Sequence, residues 1–365
     1  MENIWWNRIR KAEDLIGQIS DSVIAGQSVV VAFPACIPWP SDMHESVESR
    51  LREKSPEYRL VDLGCPDDSP DQLMLDRFCK REARARYRKS VGAAKFLATL
   101  AESTLHTSYV WIRVSSDEQL KSWTAFASEY VQNVPKGRYR AAFIFETWGI
   151  KSTSKAKGVQ VLNWDDSIDP YDIYTFCALY SAEIGFPARL RPYLVELASH
   201  VSRYDVELGQ AVIDEGAAFI EDPDSTVRKI CDTSVRSDGE AFRFSADGDA
   251  LSTLVWEAQL RTVFPTIEKF RSSYIRSHAE AISLCLPATT RDGRMIRELN
   301  EVELGAIIRL VGAGRLSIPS NDYEQIDSLR RIRNSLAHLT PVGFDDVCYV
   351  LNLRIADREE CAALL

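Results

Sequence analysis

The sequence predicts an α/β domain followed by an all-α region. Over residues 1–168, short apolar runs of strand length alternate with stretches of helical periodicity. Strands that alternate with helices pair in parallel, with the helices on the sheet faces. From Asp169 onward the apolar residues recur at helical spacing alone. Within that helical sequence, Ser237-Asp238-Gly239-Glu240 and Ser245-Ala246-Asp247-Gly248-Asp249 concentrate turn formers and mark a boundary. The expected segments are therefore 1–168 (α/β), 169–236 (helical) and 251–365 (helical).

Residues 3–25 place Ile4, Trp5, Ile9, Ala12, Ile16, Ile19 and Val23 on one helical stripe, and Gly26 ends it. Trp5 and Trp6 suit either packing or a partner. Residues 29–33 form a continuous apolar run, as in a strand covered on both faces, and Pro34 closes it. Further strands are expected at 58–63, 108–114, 141–146 and 159–162, with helices at 43–54, 71–104 and 117–131. Asp169-Pro170 is an N-cap with proline at the first helical position. Residues 174–184 are strongly apolar and belong to a core. Residues 187–216 form two helices meeting near Ser202-Arg203-Tyr204-Asp205. In the last segment, Leu254, Ala258, Leu260, Val263, Ile267, Phe270 and Ile275 trace one long helix kinked at Pro265. A second helix spans 301–310 and closes at Gly312 and Gly314. A third spans 323–339 and is stopped by Thr340-Pro341, because the residue before proline avoids helical backbone. Residues 344–355 form a last helix or a partly extended segment.

Composition bounds the function. The chain of 365 residues is 45% hydrophobic, enough for two or three domains with a sizeable core. A net charge of −9 argues against coating nucleic acid broadly. The charge is uneven: from Leu251 on there are 14 Lys+Arg against 15 Asp+Glu, so this nearly neutral part can hold a local basic cleft. The eight cysteines form no C-x2-C pair and the five histidines show no ligand spacing. Neither a metal nor a cofactor is expected, and the thiols fit a reducing cytoplasm. No signal peptide is read at the N-terminus, and no apolar run reaches the roughly 18 residues of a membrane span.

The alternating strands and helices of 1–168 resemble the core of P-loop NTPases of the AAA or STAND type, and the helical block at 169–236 resembles their lid. The resemblance fails where nucleotide chemistry would sit. A P-loop needs glycines, whose backbone amides cradle phosphate, and then lysine and a hydroxyl residue. Here the loop after the first strand reads Phe33-Pro34-Ala35-Cys36-Ile37-Pro38-Trp39-Pro40-Ser41-Asp42. It has no glycine and no lysine, and its prolines remove amide donors. Glu146 ends an apolar strand in the position of a Walker-B acid. The expectation is a degenerate NTPase-like domain that senses or scaffolds. Within it Arg77, Arg81, Arg84 and Arg88, thickened by Lys80, Arg86 and Lys89, share one face of the predicted helix 71–104. That face fits either RNA or a phosphate-bearing ligand, or a solvated surface balanced by Asp76 and Glu82. Asp62, Asp67, Asp68 and Asp71 lie in a turn-rich loop with Pro66 and Pro70, not in a metal cage. His200 sits among core residues.

The densest chemistry is in Arg330-Arg331-Ile332-Arg333-Asn334-Ser335-Leu336-Ala337-His338, with three arginines and one histidine. A neutral imidazole takes a proton near neutral pH, and a guanidinium stabilises negative charge on a phosphate. The pair suffices for RNA cleavage without a metal when the substrate 2′-hydroxyl is the nucleophile. Arg333-Asn334-Ser335-Leu336-Ala337-His338 resembles the R-x4-H signature of HEPN domains in its R-N-x3-H form. Trp256-Glu257-Ala258-Gln259-Leu260-Arg261, followed by Phe264-Pro265-Thr266-Ile267-Glu268, resembles the first long helix of such a domain. The resemblance covers 251–365 and implies a helical bundle that forms a homodimer. In active members it implies a metal-independent endoribonuclease, as in bacterial toxin or antiphage effectors. On that basis His338 is general base or acid, Arg333 binds the scissile phosphate, and Asn334 orients one or the other. Arg330 and Arg331 steer the RNA, and Glu268 and Glu257 are candidate polar partners. Helix phase puts Asn334 and His338 on one face and Arg333 about 100° round, so a two-fold dimer is needed to bring Arg and His together. The alternative is a non-catalytic adaptor that dimerises through the same domain, since Asn and His also close the last turns of helices. The N-terminal domain remains open to a protein partner on either reading.

Overall fold

The computed structural model describes residues 3–34, 36–149, 158–164, 169–244, 248–290 and 293–353. The chain divides into two compact units. One runs to Asp172 and includes Arg236–Glu240; the other holds Ile173–Val235 and the chain from Ala241 on.

The first unit opens with two helices, α1 (Ile4–Arg8) and α2 (Arg10–Ile24), because Ile9 between them takes extended backbone. The Asn3 side chain caps α1 by accepting the Trp6 amide. Trp5 and Trp6 are both fully buried, packed on Trp164, so their use is internal. Then follow β1 (Ser28–Phe33), α3 (Pro40–Lys54) and β2 (Arg59–Asp62). The predicted helix 71–104 is instead broken into α4 (Pro70–Phe78), α5 (Arg81–Arg84), a 3-10 turn at Lys89–Val91 and α6 (Ala93–Thr99). Cys79, Lys80 and Arg88 are extended, and Gly92 has φ +80°. Two physical reasons account for the breaks. Between Cys79 and Gly92 only Ala83 is buried, so packing does not reward a continuous helix. Arginines four apart also repel one another along a helix. The shared arginine face is therefore absent.

The unit continues with β3 (Ser108–Val114), α7 (Asp117–Asn133), β4 (Ala142–Trp148) and β5 (Val159–Asn163). The five strands form one parallel sheet in the order β2-β3-β4-β1-β5. The expected parallel α/β domain is present, and strand alternation divides its two faces. Val30, Val110, Ile112, Phe143 and Phe145 meet Met74, Leu97, Trp123 and Tyr130 of α4, α6 and α7 in one core. The intervening positions, among them Trp111 and Glu146, turn to the opposite face. There Trp111 packs on His44 of α3, ring centroids 4.2 Å apart.

Gly26 closes α2 for a reason visible only in three dimensions. Its φ is +74°, and a Cβ there would lie 2.5 Å from Arg140 Nε. Arg140 Nη2 donates to the Ala25 carbonyl at 3.4 Å, over the helix end. Gly26→Ala should lower the stability of this unit by about 1–3 kcal/mol, chiefly through the left-handed backbone. An unchanged urea midpoint would refute this.

The boundary falls in the first turn of α8 (Pro170–Glu183), where Asp169 Oδ1 accepts the amides of Tyr171 and Asp172 at 2.8 and 3.2 Å. The second unit is mostly helical. Its elements are α9 (Arg191–Ser202), α10 (Val206–Glu215), α11 (Ala217–Glu221), α12 (Pro223–Thr233), α13 (Gly248–Ser277), α14 (Ala279–Ser283), α15 (Leu304–Gly312), α16 (Ser320–Ala337) and α17 (Phe344–Leu351). A small antiparallel ribbon, β6 (Ala288–Thr289) with β7 (Met295–Ile296), was not expected; two-residue strands leave no periodicity to read. The long helix α13 runs through Pro265 and packs against α9, α16 and α17. Ile355 and Cys361 lie outside the described residues. Among the described residues no helix is long and apolar enough to cross a membrane.

Candidate functional site

Helix α16 carries the motif, and α13 holds its end in place. Trp256 Nε1 donates to the Leu336 carbonyl at 2.7 Å. Gln259, 1% exposed, exchanges two 2.8 Å hydrogen bonds with the backbone of Val342 just past the helix. The end itself is a Schellman closure. The Leu339 amide donates to Leu336 O at 3.3 Å and the Thr340 amide to Ser335 O at 3.0 Å. The left-handed position is filled by Leu339, φ +60°, where glycine is usual.

This places the motif residues in two different settings. Arg333 is half-buried and held from several sides. Its Nε donates to Glu268 Oε1 at 2.8 Å, its Nη2 lies 3.0 Å from Glu303 Oε2, and its guanidinium stands 5.5 Å from the Phe264 ring centroid. Glu268 in turn takes Arg271 Nε on Oε2 at 2.7 Å, and Arg271 Nη1 donates to Val302 O at 3.0 Å. The Glu303 contact is an ion pair without aligned hydrogen-bond geometry, so that buried oxygen accepts no hydrogen bond from any described residue. Burial pushes the Glu268 carboxyl up, but the hydrogen bonds and charges of Arg333 and Arg271 outweigh it and leave its pKa below the ordinary value.

His338 is the C-cap of α16 and is exposed. Its amide is bonded to Asn334 O and Ser335 O at 3.1 Å, while no hydrogen bond or ion pair joins its ring to a described residue. Asn334 is half-buried and its side chain has no such partner either. Arg330 places Nε and Nη2 on Asp327 Oδ1 at 3.0 and 2.7 Å. Arg331 is exposed and donates to Ser328 Oγ at 3.1 Å. Of the two carboxylates singled out as partners, Glu268 meets Arg333. Glu257 lies instead 3.6 Å from His200 Nδ1, in a cluster with Glu196 and Arg261. Glu303 and Phe264 were missed. Nothing local in the sequence marks either of them, because both reach Arg333 from other helices.

A second polar cluster lies on the face of the sheet that α3 covers, within β3 and β4. Glu146 is 1% exposed. Its Oε2 accepts Trp111 Nε1 at 2.6 Å and lies 2.7 Å from His44 Nε2, and its Oε1 accepts Trp148 Nε1 at 2.5 Å. Burial raises its pKa, but His44 and the two indoles overcome that and hold the carboxyl below its ordinary range. The loop before α3 is built the same way. Trp6 Nε1 donates to the carbonyls of Pro38 and Trp39 at 3.0 and 3.1 Å, and Trp39 sits at φ +43°. Two of the loop's carbonyls are thus taken up by Trp6, and the Trp39 amide donates to Ser237 Oγ at 3.1 Å; Ala35 lies outside the described residues. Among the described residues no cluster of three or more His, Cys, Asp and Glu is arranged to hold a metal ion.

No protein-family model matches the sequence, and no curated protein does. Solved structures it is similar to include Trip13 from Rhizobiales, at 13% identity over 67% of this chain and 88% of that one, TM-score 0.33. Another is the Drosophila ORC bound to DNA, at 10% identity over 94% and 95%, TM-score 0.36. A third is a STAND protein with a tetratricopeptide repeat sensor from Pyrococcus horikoshii, at 10% identity over 93% and 57%, TM-score 0.31. At these identities and scores none assigns an activity to this chain, and the α/β fold rests on the parallel sheet itself.

Proposed function

We propose that the chain is a metal-independent endoribonuclease of HEPN type, completed as a homodimer and regulated by an NTPase-like domain that does not hydrolyse nucleotide. The observation that carries this reading is the pairing, on one helix, of a fixed cation with a free base. Arg333 is oriented by Glu268 and Phe264, while the His338 ring is exposed and unbonded at the helix end. A general base must reach a substrate proton, which an open imidazole can do. A guanidinium that is already oriented costs no reorganisation when charge develops on phosphate. The two residues are five apart, about 140° in helix phase, so a second copy related by a two-fold supplies the other half of the site. The loop after β1, without glycine or lysine, and the carboxylate of Glu146, buried against His44, Trp111 and Trp148, support the non-hydrolysing role of the first domain.

The test is cleavage of a structured RNA mixture by the full chain, with and without EDTA, beside His338→Ala. Wild type should cut equally in both, and His338→Ala should lose about 10²–10⁴-fold with its oligomeric state unchanged. Cleavage that survives His338→Ala, or that EDTA abolishes, sinks the proposal. The adaptor reading is favoured by the bracketing of Arg333 between Glu268 and Glu303, which neutralises the cation a phosphate would need. It predicts no cutting by either protein and unchanged assembly.

A further inference from the structure

The broken stretch between α4 and α6 has a charge unlike the rest of the chain. Residues 77–95 carry eight lysines and arginines against Glu82 alone, a net +7 in a chain of −9, so the remainder carries −16. Some exposed cations elsewhere stand beside carboxylates, as Arg52 with Glu48, Lys54 with Asp21 and Lys229 with Glu215, but nowhere else do so many fall within so short a stretch. In this stretch only Arg84 and Arg86 do so, pinned by Asp76 and Glu102. Arg77, Lys80, Arg81, Arg88, Lys89 and Lys95 are exposed and have no carboxylate partner among the described residues. The nearby acids are few. Beyond Glu82, Asp71 lies near Tyr87 and Glu129 beside Gly92.

The surface beneath these cations is firm. Phe78, Ala83, Ala93, Ala94 and Leu97 are buried below it, and the Asp76 and Glu102 pairs tie two of its turns. Its cations are spread over three short helices and a 3-10 turn rather than one rod. That arrangement suits a flexible phosphate chain draped across it better than a helix entering a duplex groove. Of the apolar side chains of this stretch only Ala85 and Val91 are exposed, so little is offered for insertion into a lipid surface.

We propose that residues 77–95 form a docking surface for the backbone of single-stranded nucleic acid. This does not rest on the ribonuclease reading, since binding here needs neither Arg333 nor His338. The experiment measures binding of a short labelled single-stranded RNA of mixed sequence to the full chain, over a salt series, in the His338→Ala background so that cleavage cannot intervene. The reversal Arg81→Glu/Lys89→Glu/Lys95→Glu should weaken binding at least tenfold. It should also flatten the salt dependence by about two units of log K per log salt, at roughly 0.7 per lost phosphate contact. The milder Arg81→Gln/Lys89→Gln/Lys95→Gln should show the same trend if the reversal disturbs folding. A control, Lys136→Glu/Arg138→Glu, lies in the exposed loop after α7 and should stay within about twofold. The proposal is overturned if the parent protein does not bind RNA. Binding that ignores the substitutions, or an equal loss in the control, would overturn it as well.

Discussion

Glu146→Ala should destabilise the first unit by about 3–5 kcal/mol, the largest stability loss expected from any single change described above. The side chain is buried and takes two indole N–H groups while facing His44. Its removal leaves the buried Trp111 N–H and the half-buried Trp148 and His44 without their acceptor, and opens a void between β3, β4 and α3. Glu146→Gln keeps the volume and one acceptor, so its loss should be smaller, about 1–3 kcal/mol. Trp111 and Trp148 touch the site directly, so their fluorescence during urea unfolding reports on it. A loss under about 1 kcal/mol for Glu146→Ala would refute the account of a satisfied carboxylate.

The pH dependence follows in sign from the same contacts. The folded pKa of Glu146 lies below its ordinary value of 4.5. The unfolded chain therefore binds the proton first, and the carboxylate contributes stability that is fully present above that ordinary value. This contribution is lost as pH falls through the lower folded pKa. Glu146→Gln should therefore flatten the acid limb of the stability curve, below about pH 5.

Arg333→Ala is the second large effect, and it separates structure from chemistry. Removing the guanidinium leaves Glu268 with Arg271 alone and Glu303 without its ion pair. A stability loss of about 1–3 kcal/mol is expected. On the ribonuclease reading, cleavage should also fall by about 10²–10³-fold. Arg333→Lys keeps the charge, but its compact head cannot serve Glu268 and Glu303 together and still offer a donor to phosphate. It should recover part of the stability and little of the cleavage. Arg333→Ala/Glu303→Gln removes the stranded carboxylate along with the cation. Regained stability without regained cleavage would support a role in the reaction. Cleavage that returned along with stability would make Arg333 a packing residue only.

How far these sites were legible differs by residue. The Pro-rich loop and the lone acid at Glu146 could be read directly, because a P-loop is a local pattern and its absence is local too. That Glu146 is enclosed by His44, Trp111 and Trp148 could not be read, since Glu146 and His44 stand 102 residues apart. The arginines at 77, 81, 84 and 88 obey helical spacing, yet the helix they predict is broken. Periodicity registers which positions would share a face, not whether anything packs beneath that face to sustain it.

The sequence by itself determined the order and kind of most elements. The strands at 28–33, 108–114 and 142–148 are legible from apolar runs, and α16 from its spacing and the proline that follows it, because burial in a strand or helix imposes a period on neighbouring residues. Only the tertiary structure decided partnership. It set Glu268, and not Glu257, against Arg333 across 65 residues, brought Glu303 and Phe264 to the same guanidinium, and left the His338 ring open at the end of α16. Periodicity says which side of an element faces inward; which distant side chain meets it there is set by how the elements cross, and no local stretch of sequence encodes that crossing.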